Sequence, residues 1–167
     1  MDAVVMEGLP FSTAGLPAEA VTHLESAGLS YSSESVAERH LKQALALAPD
    51  HLAPHVALYR YLFYKGRLAE ALEQLDVCFR QASAVGGLPR DWRQAVSGSF
   101  RFGDFEAPWP RFFMFALKAH GYLCLRLGRL EEGRAAASKA LELDPQDKVG
   151  AQVLLDVLGR MGREDDE

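Results

Sequence analysis

The run Tyr64-Lys65-Gly66-Arg67-Leu68-Ala69-Glu70-Ala71-Leu72 returns as Leu125-Arg126-Leu127-Gly128-Arg129-Leu130-Glu131-Glu132-Gly133-Arg134, and Met161-Gly162-Arg163 echoes its centre. Gly128 and Gly162 lie 34 residues apart. A second echo sets Ala44-Leu45-Ala46-Leu47-Ala48-Pro49-Asp50 against Ala140-Leu141-Glu142-Leu143-Asp144-Pro145-Gln146. A recurring period of this size means one supersecondary unit used several times, each copy needing its neighbours to bury its apolar face. The residue chemistry says which unit: glycine takes the left-handed conformation that ends one helix, and proline cannot continue the second helix but can open the one after it. Each unit therefore reads as helix A, a glycine turn, an antiparallel helix B and a short proline-bearing turn.

Apolar periodicity and end signals place the helices at about 17–27, 35–47, 52–65, 68–85, 110–127, 130–143 and 145–161. Ser35 and Glu38 have capping-box spacing, and Asp50 is suited to cap the helix after it. Small residues recur where paired helices must approach: Ala37 and Ala44, Ala71 and Cys78, Gly133 and Ala140, with Leu41, Leu75 and Ala137 between them as knobs. The expected organisation is an irregular segment 1–16, one helical domain over 17–161 with an insert at about 86–108, and an acidic tail 162–167.

These turns, the 34-residue period and the small-residue positions resemble the tetratricopeptide-repeat family. The resemblance implies an all-α fold: a right-handed stack of antiparallel helix pairs closed by a C-terminal capping helix, here the one from Pro145. It also implies a protein-binding role, with helices A lining a concave groove. Mapped residue by residue, that groove takes Arg60, Phe63 and Tyr64, then Lys118, Tyr122 and Arg126, then Gln152 and Arg160. Spacings of three and four put each set on one side of its helix. Such a face suits an acidic peptide with apolar anchors. The competing reading makes the aromatics core and the cations solvated. The family's clamp for chaperone C-termini relies on Asn, and this chain contains no Asn. Pro110-Arg111-Phe112-Phe113 is similar to a segment of type III secretion chaperones, and a looser likeness is to small repeat proteins of nitrogen-fixing bacteria that assist metalloenzyme assembly. A structural stack that joins copies of itself, as in a homodimer, is the alternative from a different class.

Composition narrows the partners. The net charge of −5 supplies no general attraction for nucleic acid or anionic membrane. The N-terminal residues lack the basic start and apolar run of a secretory signal, and no stretch reaches the ~18 apolar residues of a membrane span. A cytoplasmic location is the expectation. Cys78 and Cys124 both fall inside expected helices and read as buried reduced thiols.

The insert carries Trp92, Phe100, Phe102, Phe105 and Trp109. Its aromatics argue against disorder; covering the core is the first expectation, with Trp92 and Trp109 as the residues able to meet a partner. No catalytic constellation, cofactor motif or metal site is expected. His51 and His55 lack companions at ligand spacing, and His120 with Cys124 reads as a buried contact. The chain is thus expected to be a binding protein and not an enzyme.

Overall fold

The computed structural model describes residues 13–104 and 106–165. Among them are seven α-helices: α1 (Ala18–Leu29), α2 (Glu34–Leu47), α3 (Leu52–Tyr64), α4 (Leu68–Gly86), α5 (Pro108–Arg126), α6 (Leu130–Leu143) and α7 (Gln152–Asp165), with one 3₁₀ turn at Trp92–Gln94. The all-α expectation holds for the described residues, where no strand occurs. No helix is long and apolar enough to cross a membrane. The expectations for residues 1–12, Phe105 and the last two residues lie outside the described part.

Contacts divide the chain into two compact units that meet in sequence between Gln81 and Ala82. In the first, α1 packs on α2 and α2 on α3. Leu41, Tyr59, Tyr61 and Leu75 are fully buried, and truncating any such side chain to Ala costs about 2–5 kcal/mol. In the second, α6 packs on both α5 and α7 and touches the 3₁₀ turn. Its core holds Phe112, Phe113, Met114, Leu117, Leu123 and Leu154.

The repeated turns have the same backbone geometry. Gly66 ends α3 at φ +74°, with its N–H donating to the Phe63 carbonyl and that of Arg67 to the Leu62 carbonyl. Gly128 ends α5 at φ +77°, with its N–H donating to Leu125 and that of Arg129 to Cys124. Both are Schellman closures, in which two orphan carbonyls of the helix end are satisfied and only glycine adopts the required φ without strain. In each, the arginine carbonyl then accepts from the fourth residue on, Ala71 or Gly133, and starts the next helix. Arg67 also joins three carboxylates, bonding Glu38, Glu34 at 3.3 Å and Glu70 at 2.5 Å.

Three local expectations need correction. The helix expected from Ser35 starts at Glu34 with Ser33 as N-cap, whose side chain makes no cap, so that Ser35 lies inside the helix; Glu38 is instead drawn to Arg67. The helix after Pro49 is capped by His51, not Asp50: its Nδ1 accepts from the Ala53 N–H at 3.0 Å while Nε2 donates to the Ala14 carbonyl at 2.7 Å. The last helix starts at Gln152, not Pro145. Asp144 accepts from the Gln146 and Lys148 N–H groups, and Asp147, at φ +52°, accepts from Ala151 and Gln152. With Gly150 also at positive φ, these residues form successive turns before a helix can begin. That helix then runs through Asp165, past the expected end at Met161.

Candidate functional site

Among its described residues, the insert's aromatics pack inward. Asp91 caps the 3₁₀ turn by accepting from the Arg93 N–H, and this turns Trp92 inward, where it is buried 5.5 Å from the His120 ring. Phe102 packs on Phe113 at 5.3 Å. Trp109 lies flat against Gly86, where a Cβ would come within 2.6 Å of its ring. Lys139 donates to the Ala95 carbonyl at 3.1 Å and Lys148 to that of Gly103. Trp92 therefore belongs to the core of its unit, and Trp109 is half-buried at the edge of it.

The eight residues assigned to a groove occupy different environments. Arg60, Phe63 and Tyr64 belong to the first unit, the other five to the second. Phe63, Lys118 and Tyr122 are buried, whereas Tyr64, Arg126, Gln152 and Arg160 are exposed. Burial pulls the Lys118 ammonium below the usual lysine range, and the Asp147 carboxylate partly offsets this. Arg126 donates to the Tyr122 hydroxyl at 2.7 Å and stacks over its ring. Gln152 bonds Asp156 at 3.0 Å.

Arg60 is half-buried. It borders a cleft of about 310 Å³ with Thr13, Val21, Leu24, Glu25, Tyr31 and Ala57. Desolvation lowers its guanidinium pKa, with Tyr31 and Tyr59 opposing the shift. Tyr31 in turn meets Tyr61 edge-on at 5.3 Å and Tyr64 at 5.4 Å. The result is a mostly apolar cleft with the Arg60 cation and the Glu25 carboxylate on its wall, able to take an apolar group whose anion meets Arg60.

Among the metal-ligating types, His51 and His55 are engaged by backbone. His55 Nε2 donates to the Pro49 carbonyl at 2.8 Å, and Nδ1 meets the Gln74 amide at 3.3 Å. A different set converges in the second unit. One donor atom each from His120, Cys124 and Glu132 lie within 4.8 Å of one another. His120 and Cys124 are one turn apart on α5, and Glu132 stands in the first turn of α6. Arg93 holds the Glu132 carboxylate at 2.7 Å and lowers its pKa. Burial first, then the Glu132 charge, pushes the Cys124 thiol up to about 11. Sequence spacing shows the His120–Cys124 pair, but Glu132 reaches it only because α6 turns back on α5.

These features define an all-α protein with an Arg-walled cleft in one unit and a mixed His, Cys and carboxylate cluster in the other. The chain belongs to the same family as the uncharacterised 19.8 kDa protein in the nifW 5′ region of Azotobacter chroococcum mcd 1, to which it is 40% identical over 136 residues, 79% of this chain and 75% of the relative. No family model and no solved structure matches the chain.

Proposed function

We propose that this protein is a tetratricopeptide-like helper that holds a segment of another protein and performs no chemistry of its own. The observation that carries the reading is Arg60, half-buried at the wall of a mostly apolar cleft that Glu25 also lines. A guanidinium held in a partly desolvated site binds a carboxylate more strongly than one in open water, and the apolar lining rewards a hydrophobic neighbour of that carboxylate. The occupant is therefore an acidic peptide with an apolar anchor. The paired Schellman turns at Gly66 and Gly128 support the repeat architecture, since both present the same helix, glycine and arginine sequence in space.

The relative's place in the nifW 5′ region favours one setting for this helper, the assembly of the nitrogen-fixation machinery. Affinity purification from nitrogen-fixing cells tests both parts. Wild-type protein is expected to retain a partner from that machinery, and Arg60→Glu to lose it by charge reversal at the cleft while keeping its helical circular dichroism. Equal recovery of the same partners by folded Arg60→Glu would remove the cleft from the account.

A further inference from the structure

We propose that His120, Cys124 and Glu132 form a binding site for one Zn²⁺ ion. The donor set comprises an imidazole, a thiol and a carboxylate, all groups that zinc accepts together. With thiolate and carboxylate ionised and the imidazole neutral, the two ligand charges offset the dication and leave the Arg93 guanidinium as the net charge of the cluster.

The geometry is close to what the ion requires. Metal–ligand bonds of 2.0–2.3 Å at tetrahedral angles place donor atoms about 3.3–3.8 Å apart. His120 Nε2 and Glu132 Oε1 are already 3.4 Å apart, and all three donors lie within 4.8 Å of one another. Side-chain rotation has to bring the remaining donor pairs from within 4.8 Å to that separation.

The donors are also fixed from behind. Gly121, next to His120, and Gly133, next to Glu132, meet at the α5–α6 crossing, where a Cβ on Gly133 would fall 3.1 Å from the Gly121 carbonyl oxygen. That close approach holds the two helices, and so the ligands, at one separation. Trp92 lies against the His120 ring, and Arg93 stacks on Trp92 at 4.2 Å while bonding Glu132 Oε1. Arg93 and His120 Nε2 both approach Oε1, so zinc takes that oxygen once the carboxylate turns Oε2 to Arg93, and such outer contacts orient ligands in metal sites. Three protein ligands leave a fourth position for water or for a donor from a bound protein.

The test uses the full chain, reduced, with Co²⁺ as a spectroscopic stand-in for Zn²⁺. A single Co²⁺ per chain is expected, with a thiolate-to-cobalt charge-transfer band in the near ultraviolet and tetrahedral ligand-field bands in the visible, both abolished by added Zn²⁺. Cys124→Ser is expected to lose the charge-transfer band and Cys78→Ser to keep it. Glu132→Gln and His120→Ala are expected to weaken Co²⁺ binding by at least about tenfold, as loss of a direct ligand exceeds the effect of losing an outer one. Absence of the thiolate band in wild type, or its survival in Cys124→Ser, overturns the proposal. If Cys124→Ser does not fold, Glu132→Gln decides, and an unchanged Co²⁺ affinity there overturns it equally.

Discussion

Gly121 and Gly133 face each other across the α5–α6 crossing so closely that a Cβ on Gly133 would sit 3.1 Å from the Gly121 carbonyl oxygen and 2.7 Å from Leu125 Cδ2. Gly133→Ala must therefore shift either backbone or a packed leucine. Overpacking of this kind costs about 1–3 kcal/mol. Gly159, in the exposed part of α7, has open space around its Cβ position. There alanine gains about 0.5–1 kcal/mol of helix propensity. Urea denaturation should separate the two substitutions by sign, although both change glycine to alanine inside a helix.

The closures at Gly66 and Gly128 predict a matched pair of effects. A Cβ added at either glycine would meet no atom within 4 Å, so sterics with neighbours are irrelevant and only φ matters. Forcing alanine to φ +74° or +77° costs about 1–2 kcal/mol. Asparagine, which tolerates this region better, should cost less at both sites. Thermal melts of the four single variants check this, and equal stability of the Ala and Asn variants would show that these turns relax to another conformation.

The two turns were legible in the sequence because a Schellman closure depends on a few adjacent residues, and Gly-Arg-Leu supplies them twice. The features that were not legible depend on unusual caps or on distant partners. Asp147 takes positive φ without being glycine, so nothing in Pro145-Gln146-Asp147 signals a delayed helix. His51 replaces the ordinary capping residues because Ala14 accepts its other nitrogen. Glu132 and Arg93 join His120 only through the return of α6 and the 3₁₀ turn. Burial of Lys118 and Tyr122 likewise depends on neighbours outside α5, so the one-face spacing of 118, 122 and 126 is compatible with core as well as with a binding surface.

Asp147 does two separable things, which gives a graded prediction. Its carboxylate accepts from the Ala151 N–H at 2.6 Å and from Gln152 at 3.0 Å, and its backbone holds φ +52°. Asp147→Gly loses the caps but relieves the backbone, a cost of about 1 kcal/mol. Asp147→Ala loses the caps and keeps the strain, adding a further ~1 kcal/mol or more. Asp147→Asn retains an acceptor and tolerates the conformation, so it should fall nearest to wild type. Chemical denaturation of the three variants tests the order Asn, Gly, Ala.

Cys78 and Tyr61 contribute, with Cys124, to the alkaline limit of the fold. Both are completely buried, and desolvation raises both pKa values above their ordinary 9.0 and 10.0. For Tyr61 the charges of Glu34 and Glu38 add to the rise, and Arg67 opposes it. A raised folded-state pKa means that the native chain keeps its proton where the unfolded chain has lost it. The stabilisation is fully present below the unfolded pKa and is lost as pH rises above it toward the folded value. Stability should therefore fall from about pH 9 upward, first through the thiols and then through the phenol. Cys78→Ala removes one of the two buried-thiol ionisations, Cys124 keeping the other, so its denaturation free energy, although lower at about pH 8 because a buried sulfur is gone, should decline less between about pH 8 and about pH 10.5 than that of wild type. Tyr61→Phe should flatten the upper part of the same interval while losing the hydrogen bond from its hydroxyl to the Glu34 carbonyl. A decline equally steep in Cys78→Ala and wild type would mean that the thiol ionises in the folded chain as readily as in the unfolded one, which its complete burial does not allow.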